Sequence, residues 1–234
     1  MPSVSLVIAA YNEAESLAIV FERGLNVLRE CSDDFEVIIL DDGSTDGTRA
    51  VAEDLQASHP QIVRLLYHEQ NQGICSTFEE LYASAQKEYV FDVPGDGEFP
   101  PEALREIVPM LSDFDVVICN RLFRNYTVYR KLVSFFYRFL PRLLFRVDLY
   151  DPGSIKCRKR EVIQDIEVQS RSVFAEAERM IRAARRGYRI GKVDIRPEKR
   201  VAGKARGASW RNVCGAVLDL FRLWFRLVVL RQKP

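Results

Sequence analysis

The chain has 234 residues, 47% of them hydrophobic and 11% aromatic, which suits one sizeable α/β domain, is short for two, and excludes a disordered chain. Its five cysteines (Cys31, Cys75, Cys119, Cys157 and Cys214) are scattered without a CxxC pair, which argues against a zinc site or a disulfide framework and for free thiols in a reducing compartment. Charge is segregated: residues 1–120 hold 6 Lys or Arg against 23 Asp or Glu, and residues 121–234 hold 28 against 10, a basic half that suits phosphates or an anionic membrane face.

Val4–Ala10 reads as a buried strand with no basic segment before it, so no secretion signal is expected. Further strands are predicted at Phe35–Leu40, Ile62–Tyr67, Tyr89–Val93 and Asp115–Cys119, each a short apolar run of the kind a sheet covered on both faces uses. Leu17, Val20, Phe21, Leu25 and Leu28 make one helical stripe, and Val51, Ala52 and Leu55 a shorter one. Pro101 suits the first turn of a helix predicted to reach Leu111. This alternation predicts a doubly wound, mostly parallel sheet flanked by helices.

Beyond Arg121 the pattern changes. Arg121–Arg146 holds seven cationic residues and no acid. A helix is predicted over Val173–Arg186, a strand over Arg189–Ile195 and a polar loop over Val201–Ser209. Trp210–Leu230 is predicted as a long amphipathic helix, since Asp219, Arg222 and Arg226 interrupt it too often for a membrane span. A membrane surface or a partner would take its apolar face, self-association included; packing on the domain's own core is the alternative. The expected division is 1–208 for the main domain and 209–234 for this helix.

Three loops at strand ends carry the chemistry, where ligands of doubly wound sheets bind. They are Ala10-Tyr11-Asn12-Glu13, Asp41-Asp42-Gly43-Ser44-Thr45-Asp46-Gly47-Thr48, and Val93-Pro94-Gly95-Asp96-Gly97-Glu98-Phe99. Ser44 or Asp46 could simply cap the next helix, and Gly95-Asp96-Gly97 could be a tight turn. Acids gathered at one sheet edge nevertheless suit ribose hydroxyls and a hard divalent cation that bridges a diphosphate.

These stretches, with Asn120-Arg121, Tyr129 to Ser134, Phe174-Ala175-Glu176 and Arg200 to Lys204, resemble the inverting family 2 glycosyltransferases of the nucleotide-sugar-binding A-type fold. Within that family the likeness is to the polyprenyl-phosphate sugar transferases, the group of dolichol-phosphate mannose synthase. The resemblance implies transfer of a hexose from a GDP- or UDP-linked donor to a polyprenyl phosphate, with Mg²⁺ or Mn²⁺. It implies that Ala10, Tyr11, Glu13, Asp42 and Gly73 line the donor site. Asp96 is the second acid of the family's Asp-x-Asp, Glu98 stands where Gln is usual, and Arg121, Arg130, Ser134, Arg200 and Lys204 hold phosphates. Arginine's planar fork suits phosphate oxygens.

Pro94 replaces the first acid of Asp-x-Asp, and Asp92, two residues earlier on the same strand face, is the candidate replacement as a metal ligand. A phosphate acceptor needs no general base. A hydroxyl acceptor on a saccharide or lipid would need one, and Glu176, or else Asp151, is the candidate. The third reading, a donor-binding regulator without activity, draws on Pro94. The basic, apolar C-terminal half implies peripheral contact with the inner face of a membrane from the cytoplasm, and no nucleic-acid partner is expected.

Overall fold

The structure, a computed structural model, describes residues 1–122, 139–170, 172–200 and 210–233. Its strands are β1 (Ser3–Ala10), β2 (Asp34–Asp41), β3 (Val63–Tyr67), β4 (Tyr89–Pro94), β5 (Val116–Arg121), β6 (Lys156–Lys159) and β7 (Ile190–Ile195). They form one sheet in the order β3-β2-β1-β4-β6-β5-β7. Every pairing is parallel except those of β6, which runs antiparallel between β4 and β5. The five strands predicted in the first half and β7 are all present.

The helices are α1 (Leu17–Cys31), α2 (Thr48–Ser58), α3 (Ile74–Ser84), α4 (Leu104–Ile107), α5 (residues 139–145), α6 (Arg160–Asp165), α7 (Ala175–Arg185) and α8 (Trp210–Trp224). Alternation along β1 divides the core: Val4, Leu6, Ile8 and Ala10 pack under α1, while Val7 and Ala9 pack towards α3. All five residues of the predicted α1 stripe are buried. The helix predicted over Pro101–Leu111 is instead a single α-helical turn between two 3₁₀ turns. Pro109 lacks an N–H, so it cannot join an uninterrupted α-helical ladder there.

β6 was not legible because Lys-Cys-Arg-Lys carries no apolar alternation, yet Lys156 and Arg158 are almost wholly buried. α8 packs Ala216, Leu220, Leu223 and Leu227 into the same cluster as Phe174, Met180 and Ile181. Its other side leaves Leu218 and Phe221 about half exposed, as is Phe225 just beyond it, and the helix widens into a π-helical turn over Phe225–Val229. Among the described residues no helix is long and apolar enough to cross a membrane.

One close approach fixes the sheet edge where the informative loops meet. Gly43 follows β2 with φ +69°, and a Cβ there would lie 2.6 Å from the backbone carbon of Gln70 and 2.7 Å from the amide of Asn71. Only glycine tolerates both the left-handed backbone and that contact. Gly43→Ala is therefore expected to cost about 2–4 kcal/mol in chemical denaturation, from strain and overpacking together.

Candidate functional site

The loop after β1 is laced to the loop after β2. Asn12, at φ 58°, accepts from the Thr45 amide at 2.8 Å and donates its own amide to Ser44 Oγ at 2.9 Å. Glu13 donates its amide to Thr48 Oγ1 at 2.7 Å, and Ser16 Oγ donates to the Glu13 carboxylate at 3.0 Å. Burial raises the Glu13 pKa; the Ser16 hydrogen bond opposes that, Asp96 adds to it and Arg200 opposes it. Glu13, Asp96 and Arg200 therefore sense one another's charge across one site. Ala10 is buried at the strand end and Tyr11 is half-buried beside it.

Asp42, expected to contact a nucleotide, has its carboxylate against the neighbouring loop. One oxygen accepts from the Gln72 amide at 2.8 Å and contacts His68 Nδ1 at 2.6 Å. The other accepts from Asn71 Nδ2 at 3.0 Å and from the Gly73 amide at 2.9 Å. Both oxygens, and the Gly73 N–H, are thus engaged in positioning. His68 reaches Glu80 at 2.9 Å through its other ring nitrogen. Burial alone would lower the His68 pKa, but the Asp42 and Glu80 carboxylates outweigh it and raise the value above the ordinary one. The stabilisation from this bridge is complete below about pH 6.5 and lost as pH rises through the raised value. No motif in the sequence marked His68.

The Asp96 loop meets the chain that follows β7. Arg200 places Nη2 3.0 Å from Asp96 Oδ2 and Nε 2.8 Å from Glu98 Oε2. The Glu198 amide donates to the Glu98 carbonyl at 2.8 Å. Arg23 holds Glu198 at 2.7 Å and Glu102 at 2.8 Å. Burial raises the Asp96 pKa, with Arg200 opposing it. Arg121 grips Asp151 with two hydrogen bonds of 2.7 and 3.0 Å, lies 3.6 Å from Glu98 and sits over the Phe99 ring. Arg121, Arg200, Asp96 and Glu98 are thus brought together. Arg130, Ser134 and Lys204 lie outside the described residues.

Asp92, the candidate replacement metal ligand, lies against cations of the sheet. It is buried and binds Arg158 Nη2 at 2.6 Å, with Lys156 Nζ at 3.7 Å. Its charge is consumed by two cations from β6. The remaining pair fits a divalent cation in part: Mg²⁺ is commonly held by one or two carboxylates and completed by substrate phosphates and water. Asp96 and Glu98 supply such a pair, with Arg200 as their present counter-charge. Among the described residues no group of three or more His, Cys, Asp or Glu forms a self-sufficient metal cage.

Glu176 is surrounded by cations. Lys156 Nζ and Arg158 Nη1 stand 3.1 and 3.0 Å from one of its oxygens, and Arg179 Nε 3.5 Å from the other. Burial would raise its pKa, but the charges of Arg158, Lys156 and Arg179 hold it far below the usual carboxylate range. A base works best with a pKa near the operating pH, so Glu176 is a fixed anion. Sequence reading missed Lys156, Arg158 and Arg179; their one available signal was alternation of Lys156 and Arg158 onto one strand face.

Residues 5–167 match the family described as Glycosyl transferase family 2, and the chain belongs to that family. Among curated proteins it is 34% identical over 135 residues to an undecaprenyl-phosphate 4-deoxy-4-formamido-L-arabinose transferase of Pectobacterium atrosepticum, covering 56% of this chain and 41% of that one. It is 26% identical over 174 residues to the dolichol-phosphate mannosyltransferase of Pyrococcus furiosus, covering 70% and 48%. The matched stretches thus span less than half of either relative's length. The fold is shared with glucosyl-3-phosphoglycerate synthase from Mycobacterium tuberculosis, solved with Mn²⁺, UDP and glucosyl-3-phosphoglycerate, at TM-score 0.72 and 18% identity over 95% of this chain and 80% of that one. It is also shared with a mannosyltransferase from Pyrobaculum calidifontis, solved with GDP-mannose and Mn²⁺, at TM-score 0.68 and 18% identity over 96% and 64%.

Because Asp92 neutralises a buried arginine, Asp92→Asn is expected to destabilise the fold by about 3–5 kcal/mol in denaturation. A loss of metal affinity with unchanged stability would restore the ligand role.

Proposed function

We propose that the chain is an inverting glycosyltransferase that moves a hexose from a GDP- or UDP-linked donor to a polyprenyl phosphate. The observation that carries the choice of acceptor is the state of the two carboxylates offered as bases. Asp151 is gripped by Arg121, and Glu176 is held ionised by three cations. A hydroxyl acceptor would have to lose its proton to such a base, whereas a phosphate oxygen is already an anion. Two curated relatives carry undecaprenyl phosphate or dolichol phosphate in their names, which supports the same acceptor class.

In the proposed reaction an acceptor phosphate oxygen attacks the anomeric carbon from the face opposite the leaving group. The bond from that carbon to the donor diphosphate breaks, and the nucleoside diphosphate leaves with the electron pair. Glu13, Ala10 and Tyr11 line the donor end. Arg121 and Arg200 neutralise phosphate charge as it develops, the electrostatic share of catalysis. Asp96 and Glu98 would hold Mg²⁺ or Mn²⁺, which supplies further neutralisation of the leaving diphosphate; solved relatives of the same fold contain such metals.

The exposed side of α8 supports peripheral contact with the membrane that carries a polyprenyl acceptor. Leu218, Phe221 and Phe225 project there beside Arg222 and Arg226, the pairing of apolar and cationic groups used by helices that lie in a membrane interface.

Two acceptors that differ only in the phosphate test the reading. With the donor that binds, sugar transfer to an undecaprenyl phosphate is expected, and transfer to undecaprenol at least a hundredfold slower, the lower range of a general base's contribution (about 10²–10⁴). Equal transfer to the alcohol would establish a working base and overturn the proposal.

A further inference from the structure

Beside the Asp96 loop, a cavity of about 270 Å³ opens between α3, the end of β4, the loop before β6 and the start of α7. Ile74, Phe78, Pro94, Phe99 and Val173 give it apolar walls. Its polar groups include Ser154, Lys156 and Glu176. Ser154 is only 3% exposed, and its Oγ has no hydrogen-bond partner among the described residues. A buried hydroxyl of this kind is costly unless something in the cavity completes it. The Lys156–Glu176 ion pair offers a donor and an acceptor in the same lining. Arg121 adjoins the cavity, since its guanidinium lies 3.8 Å from where a Cβ on Gly153 would stand and also covers the Phe99 ring.

We propose that this cavity receives the transferred monosaccharide, with Ser154 and the Lys156–Glu176 pair reading hydroxyls along one edge of the ring; the proposal rests on the glycosyltransferase reading above. The volume lies below the roughly 300–1,000 Å³ of ordinary small-molecule sites, so it takes one portion of a ligand and not a whole nucleotide-sugar. The apolar walls would also suit the first isoprene unit of a lipid acceptor. A buried hydroxyl and an ion pair have nothing to bind on an isoprene, and they favour a sugar. Pro94 bears on the same point, because it puts an apolar ring into a wall where the family's acid would stand. In this role Glu176 binds substrate and takes no proton.

The test separates sugar from nucleotide. Binding of GDP, UDP, GDP-mannose and UDP-glucose would be measured by calorimetry with Mg²⁺, in the wild type and in Ser154→Ala. The expected result is roughly tenfold weaker binding of the preferred sugar-linked form, with the bare nucleoside diphosphate unchanged. Ser154→Leu, which fills the cavity, is expected to erase all extra affinity that the sugar confers while leaving the bare diphosphate bound. Equal weakening of both forms would overturn the proposal. So would donor binding that ignores both substitutions, including the case where only KM for the polyprenyl phosphate rises. If the wild type bound none of the four, the glycosyltransferase reading itself would fail, which is a different result from a wild type whose binding ignores Ser154.

Discussion

The site depends on the meeting of an acidic half-chain with a basic one. Carboxylates at the ends of parallel strands cannot accumulate in a partly buried place without cations, because each buried charge needs a partner. Residues 1–120 supply Asp92, Asp96 and Glu98; the later residues supply Arg121, Lys156, Arg158 and Arg200, which pair with them. The segregation visible in the sequence is thus a folding device. It draws β6, the end of β5 and the segment after β7 onto the central strand β4 and the loop that follows it.

These pairs are not equivalent, and their burial separates their roles. Arg158 is fully buried, bonds Asp92 and Tyr82, and stands beside Glu176. Its removal would leave charge stranded in the core, so this pairing belongs to the fold. Arg200, by contrast, keeps 30% of its side chain accessible where it joins Asp96 and Glu98. Water screens that pair and lowers its cost of exchange. In the proposed reaction a diphosphate with its metal would take the carboxylates from Arg200 and leave the arginine to the phosphate. One chemistry of pairing thereby gives a rigid interior and a site that can be reorganised.

The first half of the fold was legible because its strands are mostly apolar runs and its principal helix, α1, carries a regular stripe. The chemistry-bearing loops were legible through their acids, and Asp96, Glu98, Arg121 and Arg200 do converge. The failures share a cause. β6 reads as a charged tetrapeptide because its side chains balance buried acids contributed by distant segments, which no local pattern reveals. Asp92 was read by strand parity as facing the metal position, but parity cannot show that β6 brings two cations against the same face. Asp42 lies in the expected loop, yet its oxygens are consumed by Asn71, Gln72, Gly73 and His68, some 30 residues away in sequence. α8 has the expected amphipathic pattern, and the structure shows that one stripe joins the core while the other stays in solvent.

In the proposed reaction Asp96 and Glu98 would give up Arg200 to a metal-bound diphosphate. Calorimetric titration of GDP and UDP into the protein, in Mg²⁺ and in EDTA, tests it directly. The account predicts binding of at least one of them in Mg²⁺, lost in EDTA and lost in Asp96→Asn. Binding equally tight in EDTA would contradict it, and would leave the arginines as the sole diphosphate clamp.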